Sequence, residues 1–299
     1  MKVQKRDGRL EELNIENIRK QTIPACEGLA GTSYEDLELS AKIMFTDGIK
    51  TTDIQNSLIR AALNKIDIDA PKWTYVAARL KLYDLYHTIE REYGKSGSGD
   101  IYKKVTLLDY LSNNREIFSE FVEKYTDDEI LELDKHIDSS RDLLMDYPGV
   151  ITVIERYLAV NNGRVVELPQ HMHMVVAMFV MQNEEDKIGR VLELYNRTSK
   201  LELIMATPIN SGGRIKGAGT ASCLGTSMED TLESIFDTAK EVAFGSKALS
   251  GWGIDASRIR ALGSKLMQFK NVAGGVIPFL KIFNDIALAV NQGGRSFAA

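Results

Sequence analysis

The side chains able to do chemistry gather in a few short strings of this 299-residue chain. Cys223 follows Thr220-Ala-Ser222 in a glycine-rich stretch. Neighbouring hydroxyl donors can stabilise a thiolate, which makes Cys223 a candidate redox or nucleophilic centre; the alternative is a small hydrophobe packed in a core. Cys26 lies in an apolar helical stripe and reads as core, and the two cysteines make no metal-ligand spacing. Asp230 stands just ahead of a helix, where it can complement the positive helix end or accept a hydrogen bond from a sugar hydroxyl. Arg258 and Arg260 can clamp phosphates in fork geometry or stand as solvated loop charges. Gln292-Gly-Gly-Arg295 can form a backbone nest for an anion or simply cap a helix. Lys5, Arg6 and Lys50, close to Thr51 and Thr52, are suited to a nucleotide triphosphate, although basic residues on any small helical surface look the same. His171 and His173 are two apart in a helical stretch, on different faces, which is wrong for a shared metal. No zinc-protease, Walker A or dinucleotide-fold signature occurs.

These residues need elements to position them. Val3–Arg6 and Arg9–Glu12 flank Asp7-Gly8, a hairpin signal of the type I′ class. A helix is expected from Ile15 to Cys26 with Gly28 as its stop. A second starts at Ser33, with Asp36 three residues on, and a third begins near Thr52. Pro71 opens a long helix carrying Trp73, Val76, Ala77, Leu80, Tyr83 and Tyr86 on one stripe. Lys95-Ser-Gly-Ser-Gly-Asp100 reads as a linker. From 101 to about 203 the pattern is helical, with a full capping box at Thr126-Asp-Asp-Glu129 and a long apolar periodicity from Leu168 to Leu194. After Leu203 glycine becomes frequent and short apolar runs alternate with helical ones, as in the first strands and helices of an α/β domain. Val276 to Asn291 reads as one helix. The expected fold is therefore mixed α/β, mostly helical at first, in three parts: 1–94, 95–203 and 204–299.

Composition sets the outer bounds. With 37 Lys plus Arg against 42 Asp plus Glu, the net charge is −5, and no Lys/Arg block offers a nucleic-acid surface. Apolar residues at 44% and charged residues at 26% are ordinary globular values. No apolar run reaches the roughly 18 residues of a membrane helix, and the start lacks a signal-peptide core, so a cytoplasmic protein is expected.

Several strings taken together resemble one family. Val3-Gln-Lys-Arg-Asp-Gly with Asn14, then Asp47-Gly-Ile-Lys-Thr51 and Tyr75-Val-Ala-Ala-Arg-Leu80, resemble the ATP-cone, the regulatory nucleotide-binding module that begins many ribonucleotide reductase large subunits. Thr207-Pro-Ile-Asn210, Ala221-Ser-Cys223 and Asp230-Thr-Leu-Glu-Ser-Ile235 resemble the entry into that enzyme's ten-stranded α/β barrel. Gly251-Trp-Gly-Ile254, Ser257 to Ser264 and Gly275 to Asn284 continue the resemblance, which covers residues 1–295 in order and in overall style is similar to the class Ia enzymes of bacteria and their large phages.

The resemblance implies roles. Cys223 matches one of the paired redox thiols that reduce the ribose 2′ position and leave as a disulfide. Thr207, Ser222 and Gly251 match positions holding the substrate diphosphate or sugar. Asp230, Thr231, Leu232 and Arg260 match the specificity site, where a dNTP or ATP effector selects the base, with Arg258 in the same loop. Gln292 to Arg295 match the start of the loop that relays effector identity. In the cone, Lys5, Glu11, Asn14 and Thr51 match ATP or dATP contacts. Gln55 and His87 replace a histidine and a lysine common in bacterial relatives, and Met267 replaces an arginine often found at the specificity site. Implied partners are a small subunit with a diiron-tyrosyl radical, thioredoxin or glutaredoxin, ribonucleoside diphosphates and a second copy in a dimer; no nucleic acid or membrane is implied. The chain holds one thiol of the catalytic set. The expectation is therefore the N-terminal piece of a split large subunit, completed by a C-terminal chain, in the host cytoplasm if phage-encoded. A nucleotide-sensing module without catalysis, or an inactive truncation, is the alternative.

Overall fold

The structure, a computed structural model, describes residues 1–290 except Arg6, Asp7, Ser96, Ser98 and Leu249. The N-terminal unit begins with β1 (Lys2–Gln4) and β2 (Leu10–Glu12), antiparallel with Gln4 opposite Leu10; β3 (Ile49–Lys50) adds to β1 in parallel. The hairpin differs from the expected two-residue turn. Lys5 N–H donates to the Arg9 carbonyl and Gly8 N–H to the Lys5 carbonyl, which closes a three-residue connection with Gly8 at φ +88°. The other residues of that connection, Arg6 and Asp7, lie outside the described residues, and with them the Asp7-Gly8 turn type.

Helices α1 (Ile15–Cys26), α2 (Tyr34–Lys42), α3 (Thr51–Leu63) and α4 (Trp73–Glu92) surround that sheet. Asn14 caps α1 by accepting from Glu16 N–H, and Ser33 caps α2 by accepting from Asp36 N–H, so local side-chain chemistry sets where both begin. Their buried faces close one core around Leu37, Leu58, Trp73 and Leu80. Cys26 is half-buried against this core, and burial raises its thiol pKa. Helix α4 is apolar on two sides. Trp73, Val76, Ala77 and Leu80 face the first core, whereas Ala78, Leu82, Leu85 and Ile89 enter a second with Ile101, Tyr102, Val150 and Met172. The long helix thus ties the N-terminal unit to the helical body.

That body comprises α5 (Ile101–Lys104), α6 (Leu107–Asn113), α7 (Asp127–Asp134), α8 (Tyr147–Thr152), α9 (Pro169–Met181) and α10 (Lys187–Ser199), with short 3-10 and π turns between them. Thr126 and Glu129 make the full reciprocal capping box at α7. The apolar stretch from Leu168 to Leu194 divides into two packed helices because Asp186 starts α10 by accepting from Gly189 N–H. The body is not wholly helical, as the pattern had suggested. β4 (Val160–Asn161) and β5 (Arg164–Val165) form a hairpin whose Asn162 and Gly163 both have positive φ, the type I′ turn for which Asn-Gly is suited.

The last segment contains β6 (Cys223–Ser227), α11 (Leu232–Lys247), β7 (Gly251–Asp255) and α12 (Ile277–Ala289). β6 and β7 pair in parallel from Cys223↔Gly251 to Ser227↔Asp255, with α11 as the crossover. A small core of Met228, Ile235, Ala239, Val242 and Phe283 lies under the two helices. The two-stranded sheet is not closed, as befits the opening portion of a barrel. No helix among the described residues is long and apolar enough to cross a membrane.

Candidate functional site

Two sites emerge, one in the N-terminal unit and one at the strand–helix–strand segment. In the first, β1, β2, the start of α1, the start of α3 and one edge of α4 line an open cleft of about 370 Å³. Its lining includes Lys5, Glu11, Asn14 and Thr51, so four residues from separate strings share one wall system. Gln55 and His87 line it too. Both side chains are already engaged. Gln55 Nε2 donates to the Leu80 carbonyl at 2.8 Å, which fixes the buried amide against α4. His87 Nδ1 lies 2.8 Å from Glu90 Oε2, with its ring edge-on to Tyr83 at 4.4 Å between centroids. Lys5 Nζ lies 3.5 Å from Glu11 Oε2.

A second cleft of about 630 Å³ adjoins the first and shares Lys5, Thr51 and Arg91 with it. It adds Lys50, Thr52, Gly8, Asp84 and Thr88. Lys50 precedes α3 without a side-chain cap, so the first-turn N–H groups and the positive helix end are left for an anion. The basic hairpin residue Lys5 and the Lys50-Thr51-Thr52 string therefore meet in one place, while Arg6 lies outside the described residues.

At the second site, Cys223 is exposed at the first position of β6, opposite Gly251. Gly251 N–H donates to the Ser222 carbonyl at 2.8 Å, and Ser250 Oγ donates to the Ala221 carbonyl at 2.6 Å, which fixes how the chain enters β6. Thr207 opens a helical turn that continues as a π turn through Ile209–Gly213; its Oγ1 lies 3.5 Å from the Tyr157 hydroxyl. This turn packs on the approach to β6 so closely that a Cβ on Gly212 would stand 2.7 Å from the Gly219 carbonyl oxygen. Glycine at 212 is what permits that approach.

The carboxyl ends of β6 and β7 bring together a polar group. Arg260 Nε donates to Asp230 Oδ2 at 2.6 Å and its Nη2 to the Asp230 carbonyl at 3.3 Å. Arg258 pairs with Glu229. Thr231 Oγ1 caps α11 by accepting from Ser234 N–H, while the Leu232 side chain is exposed. Met267 is 84% exposed at a tight turn between Leu266 and Phe269, with φ +54°. Both arginines read as candidate phosphate clamps are thus paired with carboxylates. An anion arriving there must open a pair or bind beside it. Gln292 and Arg295 lie outside the described residues. Among the described residues no group of three or more His, Cys, Asp or Glu is placed to hold a metal ion.

The structure also holds buried polar residues in the body between the two sites. Arg214 and Glu167 are both fully buried and form two hydrogen bonds of 2.6 and 2.7 Å; Tyr110 OH donates to Glu167 Oε1 and Ala159 N–H to Oε2. Asp142, also fully buried, accepts from Tyr86, Tyr102 and Gln170. Burial pushes its carboxyl up to about 6 despite those three bonds. His171 stacks on Tyr110, and neither ring nitrogen has a hydrogen-bond partner among the described residues. Burial depresses its imidazole to about 3. A lone Glu inside Val165-Val-Glu-Leu168 was the available signal, because an isolated charge in an apolar run must find a partner.

Three family models match in order along the chain: residues 1–88 the ATP cone domain, 143–218 the ribonucleotide reductase all-alpha domain, and 221–299 the ribonucleotide reductase barrel domain. The chain belongs to the ribonucleotide reductase large-subunit family and corresponds to its N-terminal portion. Over 296 residues it is 42% identical to the ribonucleoside-diphosphate reductase subunit alpha of Helicobacter pylori, covering 98% of this chain and 36% of that one. Its identity to the ribonucleoside-diphosphate reductase 1 subunit alpha of Escherichia coli K12 is 33% over 296 residues, covering 98% and 38%. To the subunit alpha of Synechocystis it is 36% over 304 residues, covering 100% and 38%. The chain therefore spans little more than a third of the length of these curated relatives.

Proposed function

We propose that this segment supplies the nucleotide effector sites and one redox thiol of a ribonucleoside-diphosphate reductase, joined to the rest of a ten-stranded barrel. The observation that carries this reading is the exposed position of Cys223 at the head of the first barrel strand, with Ser222 and Gly251 hydrogen-bonded at the same strand entry. In this role Cys223 and a second thiol outside this sequence lose two electrons and form a disulfide. The ribose C2′–OH bond breaks, the oxygen leaves as water, and a C–H bond replaces it. A thioredoxin or glutaredoxin then reduces the disulfide. Radical initiation comes from a small subunit with a diiron-tyrosyl centre. The remaining barrel comes from residues outside this sequence, on the same polypeptide or on a complementary C-terminal chain, and two assembled large subunits form a dimer.

Asp230, Thr231, Leu232, Arg258 and Arg260 form the effector-reading end of the barrel segment; the family resemblance adds Gln292 and Arg295, which lie outside the described residues. The cone cavity, with Lys5, Glu11, Asn14 and Thr51, takes ATP or dATP. A pure nucleotide-sensing module is the second reading, supported by the cone having its own core and cavity.

The deciding assay is ribonucleoside diphosphate reduction by this chain with the small subunit and a dithiol, with and without a chain carrying the rest of the barrel. Turnover only when the barrel is complete is the expected result. ATP binding with no turnover in any mixture would favour the sensing module.

A further inference from the structure

Thr207, which the family resemblance places at the substrate diphosphate, stands exposed where the chain enters the π turn Ile209–Gly213. Short-range bonds close that turn on itself. The Asn210 side-chain amide donates to the Met205 carbonyl at 3.1 Å, Ser211 Oγ to the Thr207 carbonyl at 2.8 Å, and Ile209 N–H to the Ala206 carbonyl at 2.9 Å. These bonds shape the turn, but none of them fixes where it sits on the body. That task falls to the residue that ends it.

The Arg214 side chain is fully buried, and each of its N–H groups has an acceptor in reach. Nη1 donates to Glu167 Oε1 at 2.6 Å and to the Tyr110 hydroxyl at 3.4 Å. Nη2 donates to Glu167 Oε2 at 2.7 Å and to the Tyr157 carbonyl at 2.9 Å, and Nε to the Asn210 carbonyl at 3.3 Å. For stability alone, apolar residues of similar volume serve as well as a buried ion pair. What this pair adds is direction. A planar guanidinium fixed on one side by a carboxylate holds two backbone carbonyls on the other. One carbonyl belongs to the Thr207 turn. The other belongs to Tyr157, whose hydroxyl lies 3.5 Å from Thr207 Oγ1. Arg214 thus grips the turn directly and also grips the residue that faces the Thr207 hydroxyl. Its own backbone is anchored to the body, because its carbonyl accepts from Ser119 N–H at 3.0 Å and Lys216 N–H donates to the Ile117 carbonyl at 2.9 Å.

We infer that Arg214 is a positioning residue for substrate binding, acting through Thr207 by fixing where that hydroxyl stands. The inference rests on the reductase reading proposed above and adds the buried residue that holds one of its substrate contacts in place. Arg214 itself never meets the substrate.

The test is a double-mutant cycle on cytidine diphosphate reduction by the assembled enzyme, with Thr207→Ala, Arg214→Lys and the two together in this chain. Arg214→Lys keeps a charge beside Glu167 but lacks the fork that reaches both carbonyls. Each single substitution is expected to raise KM about tenfold, the loss of one hydrogen bond to a charged group, and to change kcat less than about threefold. The double variant should also stay near about tenfold, because both substitutions remove the same contact. Tyr110→Phe loosens the buried cluster on the side away from the turn, so it should lower the urea midpoint and leave KM unchanged. Losses that multiply in the double variant, an unchanged KM in Arg214→Lys, or an equal rise of KM in Tyr110→Phe would each overturn the inference while the unaltered enzyme turns over. If Arg214→Lys does not fold, Glu167→Asp takes its place in the cycle, because it keeps both charges and draws the guanidinium back from the turn. An unaltered assembly that shows no turnover would overturn the reductase reading and the inference with it.

Discussion

The cone backs its cleft with a continuous core, whereas the strand–helix–strand segment displays its residues on an open edge. In the first ninety residues four helices close around a three-stranded sheet, and the cavity residues come from hairpin, caps and helix edge with a continuous core behind them. In the last eighty, two strands and two helices share a core of only five buried residues, while Cys223 and large apolar side chains such as Phe236, Phe244, Ile277 and Leu288 face outward. The contrast follows from what each element has to pack against. A cone cavity needs only local neighbours, whereas a barrel strand needs a strand on either side and helices over it. The polar residues of the barrel segment pair with one another, Asp230 with Arg260 and Glu229 with Arg258, and in the cone Lys5 pairs with Glu11 beside the cleft that Lys50 and Arg91 also line. The cone's affinity is thus expected to be a property of this chain, and the barrel segment's chemistry a property of the assembled barrel.

Four substitutions probe that division. The largest effect is expected from Cys223→Ser, which should lose multiple-turnover reduction in the assembled enzyme and leave ATP titration of the cone unchanged; sustained turnover would remove Cys223 from the redox pair. Next is Glu167→Ala in the body between the two sites. Leaving the fully buried Arg214 unpaired should cost about 3–5 kcal/mol in denaturant unfolding. ATP affinity below the transition should survive, because no cone residue contacts that pair among the described hydrogen bonds.

His171→Phe should act in the opposite direction and depend on pH. The imidazole titrates at about 3 in the folded chain against 6.5 for a free one, so unfolding takes up a proton below pH 6.5. Stability from this residue is complete above that pH and falls as pH drops toward 3. At pH 5 the loss is about 2 kcal/mol, which the variant should recover relative to its gain at pH 7.5. Asp142 has the reverse slope, because its raised pKa of about 6 contributes stability at low pH that is lost as pH rises through 6. The comparison must therefore be of variant against parent at each pH. A variant whose gain does not grow on acidification would show that His171 is protonated in the fold. The smallest stability effect belongs to Asp230→Asn. This pair is about one-third exposed, and its loss should cost less than about 1 kcal/mol while disturbing effector selection in the assembled enzyme. Normal switching of base preference by each dNTP would remove Asp230 from the effector site.

Local rules were readable wherever a side chain acts on its own backbone. Ser33 and Thr126 announce helix starts, and the structure places α2 and α7 behind them. Asn162-Gly163 carried an equally local hairpin signal, masked by the helical runs on either side. The cone site was legible as separate strings, Lys5, Glu11, Asn14 and Thr51, because family motifs mark them one by one. Their convergence on one cavity depends on how β1, α1, α3 and α4 pack.

What the amino-acid order determined by itself was therefore the succession of capped helices, the parallel strand pair around an amphipathic crossover, and the positions of the reactive residues. These depend on contacts within a few residues, or on an apolar period that one segment carries whole. What only the tertiary structure decided was which groups meet across long separations: Arg91 with Lys5 and Thr51 at the junction of two clefts, Arg260 with Asp230, and Arg214 with Glu167 in the dry interior. A charge in a sequence looks the same whether it ends in solvent or against its counter-ion. Burial separates the two fates, because an ionised group removed from water must be paired, and the partner is chosen by the packing of whole elements.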